Sequence, residues 1–447
     1  MVLESRSGVF RSELVCRTVS MSECNSSGSF HEQFVKLSQV SPWPILTFNM
    51  MSKPRGPACN MACGYCYYRH KADLLHRGEG EVMADSLLER FIQQYMDAQI
   101  NPVVIFSWQG GEPTLIGLDF YRRVLAIQAK YARSQVKILN SFGTNGLLLD
   151  DAWCEFLKAN GFFVGLSIDG PMAMHDPFRR TTGGEPTQER VLAAARRLIA
   201  HEVPFNAMAT ITPANVQRPE ELYDFLTVEI PVRRLQFQPC VERKDFRQVA
   251  PGFWDPSTCP VVGSPQAVPG NPDGVVTDWS ISAEQWGSFL CRLFDRWWDK
   301  DRETVRINWF DSWSSQFVGM PAHMCISSPV CGRAVSMELD GKIYSCDHFV
   351  YPEYCIGDSS EQSLSDIVRS VRQRDFAEAK QTKLPAFCRA CSFLFACYGE
   401  CPKRRFLRTP DGEMGLNYFC SSYRTFFRHA ASRLAQYGQR FRQVGVR

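Results

Sequence analysis

No stretch of about 18 consecutive apolar residues occurs in the sequence, which excludes a helical span of a bilayer. Residues 1–29 lack the apolar core of a secretory signal and are rich in Ser, Arg and Glu, so no export route is indicated. Charge of one sign is also scarce. Fifty Lys and Arg against 47 Asp and Glu leave a formal net charge of +3, too little to argue for nucleic acid or a membrane surface as partner. No internal repeat recurs at a fixed period, so a repeat architecture is not expected.

What remains is an ordinary globular composition, 45% hydrophobic and 22% charged over 447 residues, enough for one large domain with a smaller one. The 18 cysteines stand out against it. Large chains without an export signal spend short Cys-x-x-Cys spacings on metal more often than on disulfides, which points to reduced thiols and a cytoplasmic location. Eleven cysteines fall into two spaced arrays. The other seven (Cys16, Cys24, Cys154, Cys240, Cys259, Cys291, Cys355) are scattered and read as small buried hydrophobes or incidental residues.

Strand-like segments at 44–48, 103–108, 136–141, 162–168, 204–211 and 234–239 alternate with amphipathic stretches at 84–99, 119–132, 150–160 and 187–201. Such alternation predicts an α/β fold with a parallel sheet and right-handed crossovers. Periodicity alone leaves an open doubly wound sheet and a closed or partial barrel as alternatives. Residues 1–40 are expected to be a disordered N-terminal extension, with Met21 as an alternative start. Residues 244–282, rich in Pro and Gly, read as a long loop insertion, functional or mobile. A helix is expected over 282–300, with Trp286, Phe289, Leu290, Leu293, Phe294 and Trp297 on a core-facing stripe. Beyond it, 334–339 and 342–348 flank Asp340-Gly341 as a hairpin. A short helix is expected at 364–374, and a helix at 418–443, basic in its later half, to close the chain.

The first array, Cys59-x3-Cys63-x2-Cys66, follows the first strand. Three thiolates on one loop can hold three irons of a [4Fe–4S] cluster and leave the fourth open. A zinc knuckle completed by His70, or three buried thiols, is the alternative. Cys-x3-Cys-x2-Cys after a first strand, with Tyr65 before the last cysteine, resembles the radical S-adenosylmethionine (SAM) superfamily. Gly110-Gly111-Glu112-Pro113 at the end of the second strand is similar to that superfamily's GGEP motif. Both motifs fall at strand carboxyl ends, where α/β folds bind ligands. The resemblance implies a partial (β/α)6 TIM-like barrel. It also implies SAM contacts from Gly110, Gly111 and Glu112, from Ser167 and Arg179, and from Tyr65 and Leu235. The plainer reading of Asp169-Gly170 is a turn, and of Arg179 a surface charge.

The second array is Cys331-x9-Gly341-x4-Cys346, then Cys388-x2-Cys391-x5-Cys397-x3-Cys401, then Cys420, with Cys325 ahead of it. The spacing resembles the SPASM extension of radical SAM maturases. That resemblance implies a C-terminal cysteine-rich domain with two fully ligated auxiliary clusters, one on Cys325, Cys331, Cys346 and Cys401, the other on Cys388, Cys391, Cys397 and Cys420. Three [4Fe–4S] clusters and SAM are then the expected cofactors. Two structural zinc sites are the alternative. The expected division is 41–310 for the partial barrel and 311–447 for the SPASM domain and C-terminal helix.

Among SPASM proteins the chain is most similar to anaerobic sulfatase-maturating enzymes, on Cys346-Asp347-His348-Phe349, Cys401-Pro402-Lys403 and Leu235-Gln236-Phe237-Gln238-Pro239. These oxidise a Cys or Ser within a C/S-x-P-x-R segment of a sulfatase to formylglycine. The resemblance implies Asp347 as general base and Tyr68 and Gln109 as substrate-facing residues, with a flavodoxin- or ferredoxin-like electron donor. Asp347 as a hairpin-end residue, Tyr68 as a packed aromatic and Gln109 as a turn residue are the plain alternatives. Gln238 departs from the apolar residue expected there. A crosslinking SPASM peptide maturase is one competing function; a non-enzymatic iron–sulfur or zinc protein is another.

Overall fold

The computed structural model describes residues 48–78 and 80–444. The expected extension at 1–40 and residues 44–47 of the expected first strand lie outside them. Ten strands form one sheet in the order β10-β9-β8-β1-β2-β3-β4-β5-β6-β7. They are β1 (Asn49–Ser52), β2 (Val103–Trp108), β3 (Lys137–Thr144), β4 (Phe163–Ser167), β5 (Phe205–Ile211), β6 (Arg234–Pro239), β7 (Arg306–Ile307), β8 (Ala334–Met337), β9 (Lys342–Tyr344) and β10 (Cys355–Asp358). A two-stranded sheet, β11 (Leu407–Arg408) and β12 (Met414–Leu416), stands apart.

The strand order decides between the architectures left open by the sequence. From β1 to β7 every neighbour is the next strand in sequence and every pairing is parallel. A doubly wound sheet reverses its order at a switch point; this one never does, so it is a barrel wall. The ladder is not closed between β7 and β10. The five expected strands from 103–108 to 234–239 are present, with Asn49–Ser52 ahead of them, and the sheet runs past these six on both sides. β8 pairs in parallel with β1, Asn49 opposite Ala334 and Ser52 opposite Met337, so the SPASM hairpin extends the barrel sheet.

Among the described residues the first strand is Asn49–Ser52, although its residues are poor strand formers. Hydrogen bonding to β2 on one side and β8 on the other overrides local propensity. The expected helix at 364–374 is two helices, Leu364–Arg369 and Val371–Thr382. They break at Ser370, whose side chain accepts the Gln373 N–H. The hairpin at Asp340-Gly341 forms, with Gly341 at φ +89°.

Helices α1 (Asp85–Ala98), α2 (Leu118–Lys130), α3 (Asp151–Ala159) and α4 (Gln188–Ala200) follow successive strands. Asp150 caps α3 by accepting the Trp153 N–H at 2.9 Å. On the helix side of the wall, Phe91, Phe106, Trp108, Tyr121, Phe142 and Trp153 stack edge to face. A second aromatic core joins α5 (Ala283–Lys300), α6 (Asn308–Phe317) and α7 (Cys420–Val444). Trp286, Phe294 and Trp297 of α5 meet Trp309 and Phe310 of α6 and Phe426 and Tyr437 of α7, so the expected apolar stripe of α5 is core. The insertion at 244–282 is tied down rather than loose. Tyr351 and Tyr354 donate to the carbonyls of Phe246 and Pro251 at 2.6 and 2.5 Å, and Arg408 donates to those of Cys259 and Pro256.

Candidate active site

Strand alternation sends Phe106, Trp108, Phe142, Leu166 and Phe237 to the helices and leaves a small, polar concave face: Ser107, Ser141, Gly143, Gly165, Ser167, Gln236 and Gln238. A closed TIM barrel packs bulky aliphatic layers there; this wall keeps room for a ligand. Gln238 is polar because it stands on that face beside Gln236. Leu235 belongs to the opposite one. It is 2% exposed, on the same side as Phe237, whose ring meets Phe289 of α5 at 5.8 Å. Alternation thus puts the Leu235 side chain in the core.

The Cys59–Cys66 loop leaves β1 and is pinned by the GGEP segment. The Gly111 N–H donates to the Gly56 carbonyl and the Glu112 N–H to the Ala58 carbonyl, both at 2.8 Å. The glycines permit this approach: a Cβ on Gly111 would lie 2.1 Å from the Ala58 oxygen, and Gly110 sits at φ +136°. Gly111→Ala is accordingly expected to cost about 1–3 kcal/mol of local strain. It should lower the iron retained by the anaerobically reconstituted loop, as iron analysis against wild type would report.

Glu112 is fully buried and enclosed by donors. Oε1 accepts from the Thr114 N–H and the Thr114 and Thr144 hydroxyls, and Oε2 from the Asn145 N–H at 2.7 Å. Burial raises its carboxyl above the ordinary value, with these hydrogen bonds opposing. Asn145 in turn donates to the Asn60 side chain at 2.8 Å, so Glu112 braces the cysteine loop from behind. Its carboxylate faces those donors.

Tyr65 donates to Asp169 Oδ2, which also accepts from Arg179 Nε at 2.8 Å. Asp169 Oδ1 accepts the Thr210 N–H, so the Asp169-Gly170 turn is a buried hub and Arg179, 7% exposed, is no surface charge. The guanidinium lies near enough to Cys63 to oppose the rise that burial causes in its thiol, which stands at about 11. Ser167 and Gln109 lie on the concave face, Gln109 next to Gly143.

Asp347 lies in the 3-10 turn that follows β9, across the β1–β8 seam from Lys53. Lys53 Nζ donates to Asp347 Oδ1 and the Tyr67 hydroxyl to Oδ2. Burial alone would raise this carboxyl; the Lys53 ammonium and these hydrogen bonds hold it down at about 2. Tyr68, expected to face substrate, is 3% exposed. It donates to Glu338, and its ring lies 3.3 Å from Lys53 Nζ. The hydroxyl on Asp347 is that of its half-buried neighbour Tyr67. Lys53, Tyr67 and Glu338 escape a motif reading because single residues far apart in sequence carry no spacing signal.

Behind this network, His70 packs on Phe246 and Tyr351 at 5.1 and 6.3 Å with neither ring nitrogen hydrogen-bonded. It is directed to those rings rather than to the three-cysteine loop. Lys71 is 1% exposed; its Nζ has no hydrogen-bond partner and sits 3.0 Å from the Tyr351 ring centre. Burial, with Lys403 adding, lowers its amine from 10.5 to about 6. Unfolding near neutral pH therefore takes up a proton, and wild-type stability falls as pH drops from about 10 toward 6. Lys71→Met removes that penalty. A gain of about 2–4 kcal/mol is expected near pH 6–7, shrinking toward zero by about pH 10, in denaturant unfolding at several pH values.

The eight C-terminal thiols separate into two groups. The Cys346 thiol is pushed well up, by burial first and then by Cys325, Cys401 and Cys331. Cys420 is pushed up to about 12 by burial and then by Cys388 and Cys391, and Cys397 is raised by burial and then by Cys420 and Cys388. Cys388, Cys391, Cys397 and Cys420 line one cavity. In the first array burial lifts Cys59 to about 12, with Cys63 and Cys66 adding. Thiols gathered this way resist ionising one by one and suit a cationic core that binds them as thiolates. Among the described residues no three His, Cys, Asp or Glu side chains are gathered as one ion requires. A cubane does not ask for that, since each thiolate takes its own iron. The three groups thus fit [4Fe–4S] clusters.

Comparison with known proteins agrees with this geometry. Residues 54–226 match the model of the radical SAM superfamily, and 329–392 that of an iron–sulfur cluster-binding domain, SPASM. The fold and cysteine loop together define a radical SAM enzyme with auxiliary iron–sulfur clusters. A serine-type anaerobic sulfatase-maturating enzyme of Bacteroides thetaiotaomicron is 42% identical over 386 residues, 86% of this chain and 89% of that one. A cysteine-type enzyme of Clostridium perfringens is 28% identical over 388 residues, 86% and 97% of the two chains. The solved structure of native anSMEcpe with bound AdoMet and Cp18Cys peptide superposes with a TM-score of 0.74 at 27% identity, covering 88% of this chain and 99% of that one. The chain belongs to the anaerobic sulfatase-maturating enzyme family. Streptococcus suis SuiB bound to precursor peptide SuiA, 15% identical with a TM-score of 0.56, shares the fold.

Proposed function

We propose that the chain oxidises a Cys or Ser side chain in a C/S-x-P-x-R segment of a sulfatase to formylglycine (3-oxoalanine). The observation that carries the reading is the meeting, at one end of the barrel wall, of the Cys59–Cys66 loop, the GGEP segment and an ionised Asp347 next to Cys346. When bound, the clusters and SAM supply a 5′-deoxyadenosyl radical for removing a Cβ hydrogen and a sink for the second electron.

The rest falls to the residues of the chain. Cys59, Cys63 and Cys66 hold the open cluster. Cys325, Cys331, Cys346 and Cys401 hold one auxiliary cluster, and Cys388, Cys391, Cys397 and Cys420 the other. Gly110, Gly111 and Glu112 offer backbone polar groups to SAM, with Ser167, Arg179 and Tyr65 around it. Gln109 borders the substrate on the concave face. Tyr68 acts one layer back, keeping Lys53 over its ring. Asp347 takes the proton released from the substrate hydroxyl or thiol. Held at about 2, it is a weak base, and its position beside Cys346 puts the exits for proton and electron at consecutive residues. Eleven reduced thiols require a reducing compartment, which supports a cytoplasmic site of action. No helix among the described residues is long and apolar enough to cross a membrane. A low-potential flavodoxin- or ferredoxin-like protein completes the system as electron donor.

The test is anaerobic reconstitution with SAM, reductant and a peptide containing the C/S-x-P-x-R segment, read by mass spectrometry. A Ser peptide should lose two hydrogens. A Cys peptide should lose two hydrogens and exchange sulfur for oxygen. Release of 5′-deoxyadenosine with an unchanged peptide mass would refute the assigned substrate while leaving the cofactor chemistry standing.

A further inference from the structure

The cavity lined by Cys388, Cys391, Cys397 and Cys420 reaches the surface: only Cys388 among these four is buried. Its rim is mainly cationic. Arg424 lines the cavity, with its guanidinium 5.6 Å from the Phe387 ring centre, and Arg428 is exposed one turn further along α7. Lys383 and Arg389 are exposed on the facing segment. Neither residues 383–392 nor α7 contains an Asp or Glu. Glu413 approaches from elsewhere, accepting the Ala386 N–H at 2.7 Å and lying 4.0 Å from Arg389, and Asp295 meets His429 and Arg433 further along α7. A chain with a net charge of only +3 thus concentrates cations around one cavity of thiols.

Two independent features coincide here, a thiol cavity open to solvent and a rim on which Lys383, Arg389, Arg424 and Arg428 outnumber the Glu413 carboxylate. We propose that the face formed by residues 383–392 and the first turns of α7 is the docking surface for an acidic one-electron carrier protein. The proposal rests on the assignment of Cys388, Cys391, Cys397 and Cys420 as cluster ligands. In the exchange, the reduced flavin or iron–sulfur centre of the carrier loses one electron and the cluster behind Arg424 gains it; no covalent bond forms or breaks. Complementary charge speeds and orients such encounters, and weakens with salt as the rim is screened.

The experiment titrates the reconstituted holoenzyme with an acidic flavodoxin and reads affinity at low and moderate salt. Arg428→Glu, which lies outside the cavity, and Lys383→Glu on the facing segment are compared with wild type. The expected result is binding at least about tenfold weaker for the pair of substitutions combined, with a flatter salt dependence. Flavodoxin-driven SAM cleavage should fall in step, whereas dithionite-driven cleavage stays at the wild-type rate. Unchanged flavodoxin affinity in the combined variant overturns the proposal, as does an equal fall with dithionite. The underlying ligand assignment fails separately: Cys388→Ala or Cys420→Ala holoenzyme would then retain its full iron content.

Discussion

Cys66→Ala is expected to reduce SAM cleavage to background, with iron in the reconstituted protein lower by about a third. The loss should be nearly complete because, in the proposed assignment, each of Cys59, Cys63 and Cys66 takes one iron, and no other thiol lies on their loop to replace the missing ligand. The loop itself should survive. Its shape is set by backbone bonds from Gly111 and Glu112 to Gly56 and Ala58, and by the Ala62 and Gly64 N–H groups donating to the carbonyls of Arg180 and Phe178. None of these uses the Cys66 side chain. Cleavage is read as 5′-deoxyadenosine released under reductant, and thermal unfolding checks the fold. A variant that folds, loses iron and still cleaves SAM at the wild-type rate would remove the open cluster from this loop.

Replacing Asp347 separates the two halves of the reaction. Asp347→Asn keeps the shape and should leave SAM cleavage near wild type, because the carboxylate bonds to Lys53 and Tyr67 rather than to the cysteine loop. Peptide oxidation should fall by about 10²–10⁴, the usual contribution of a positioned base. Asp347→Ala should do the same with an added stability loss: it strands the Lys53 ammonium, 2% exposed, and breaking a buried pair costs about 3–5 kcal/mol. The double change Lys53→Met with Asp347→Ala tests the point, restoring much of the stability but not oxidation. Because the folded carboxyl titrates near 2 against an ordinary 3.8, the stabilisation it gains from Lys53 is complete above about pH 4 and fades only as pH falls through 2. An acidic limb of the pH–rate profile at pH 5 or above would therefore belong to another group. Equal loss of cleavage and oxidation in Asp347→Asn would end its assignment as base.

What could be read along the chain was what one segment carries by itself. Cys59, Cys63 and Cys66 lie on one loop, so their spacing alone proposes a shared metal group, and GGEP one βα unit later names its partner. The alternation of strands and helices announced the parallel wall, and the cysteine spacing after residue 325 announced further clusters. Residues whose roles depend on partners hundreds of positions away were not legible. Lys53 and Asp347 are 294 positions apart, Tyr67 and Asp347 280, and Tyr68 and Glu338 270. Only the parallel pairing of β8 with β1 brings them together. The face of Leu235, the choice of Tyr67 over Tyr68 at Asp347, and the grouping of Cys401 with Cys346 were likewise settled by tertiary structure. Strand register, pleat and chain crossing determine which side chains share a space, and none of the three is written in local sequence. Spacing singled out the cysteines and glycines; the fold decided what stands beside them.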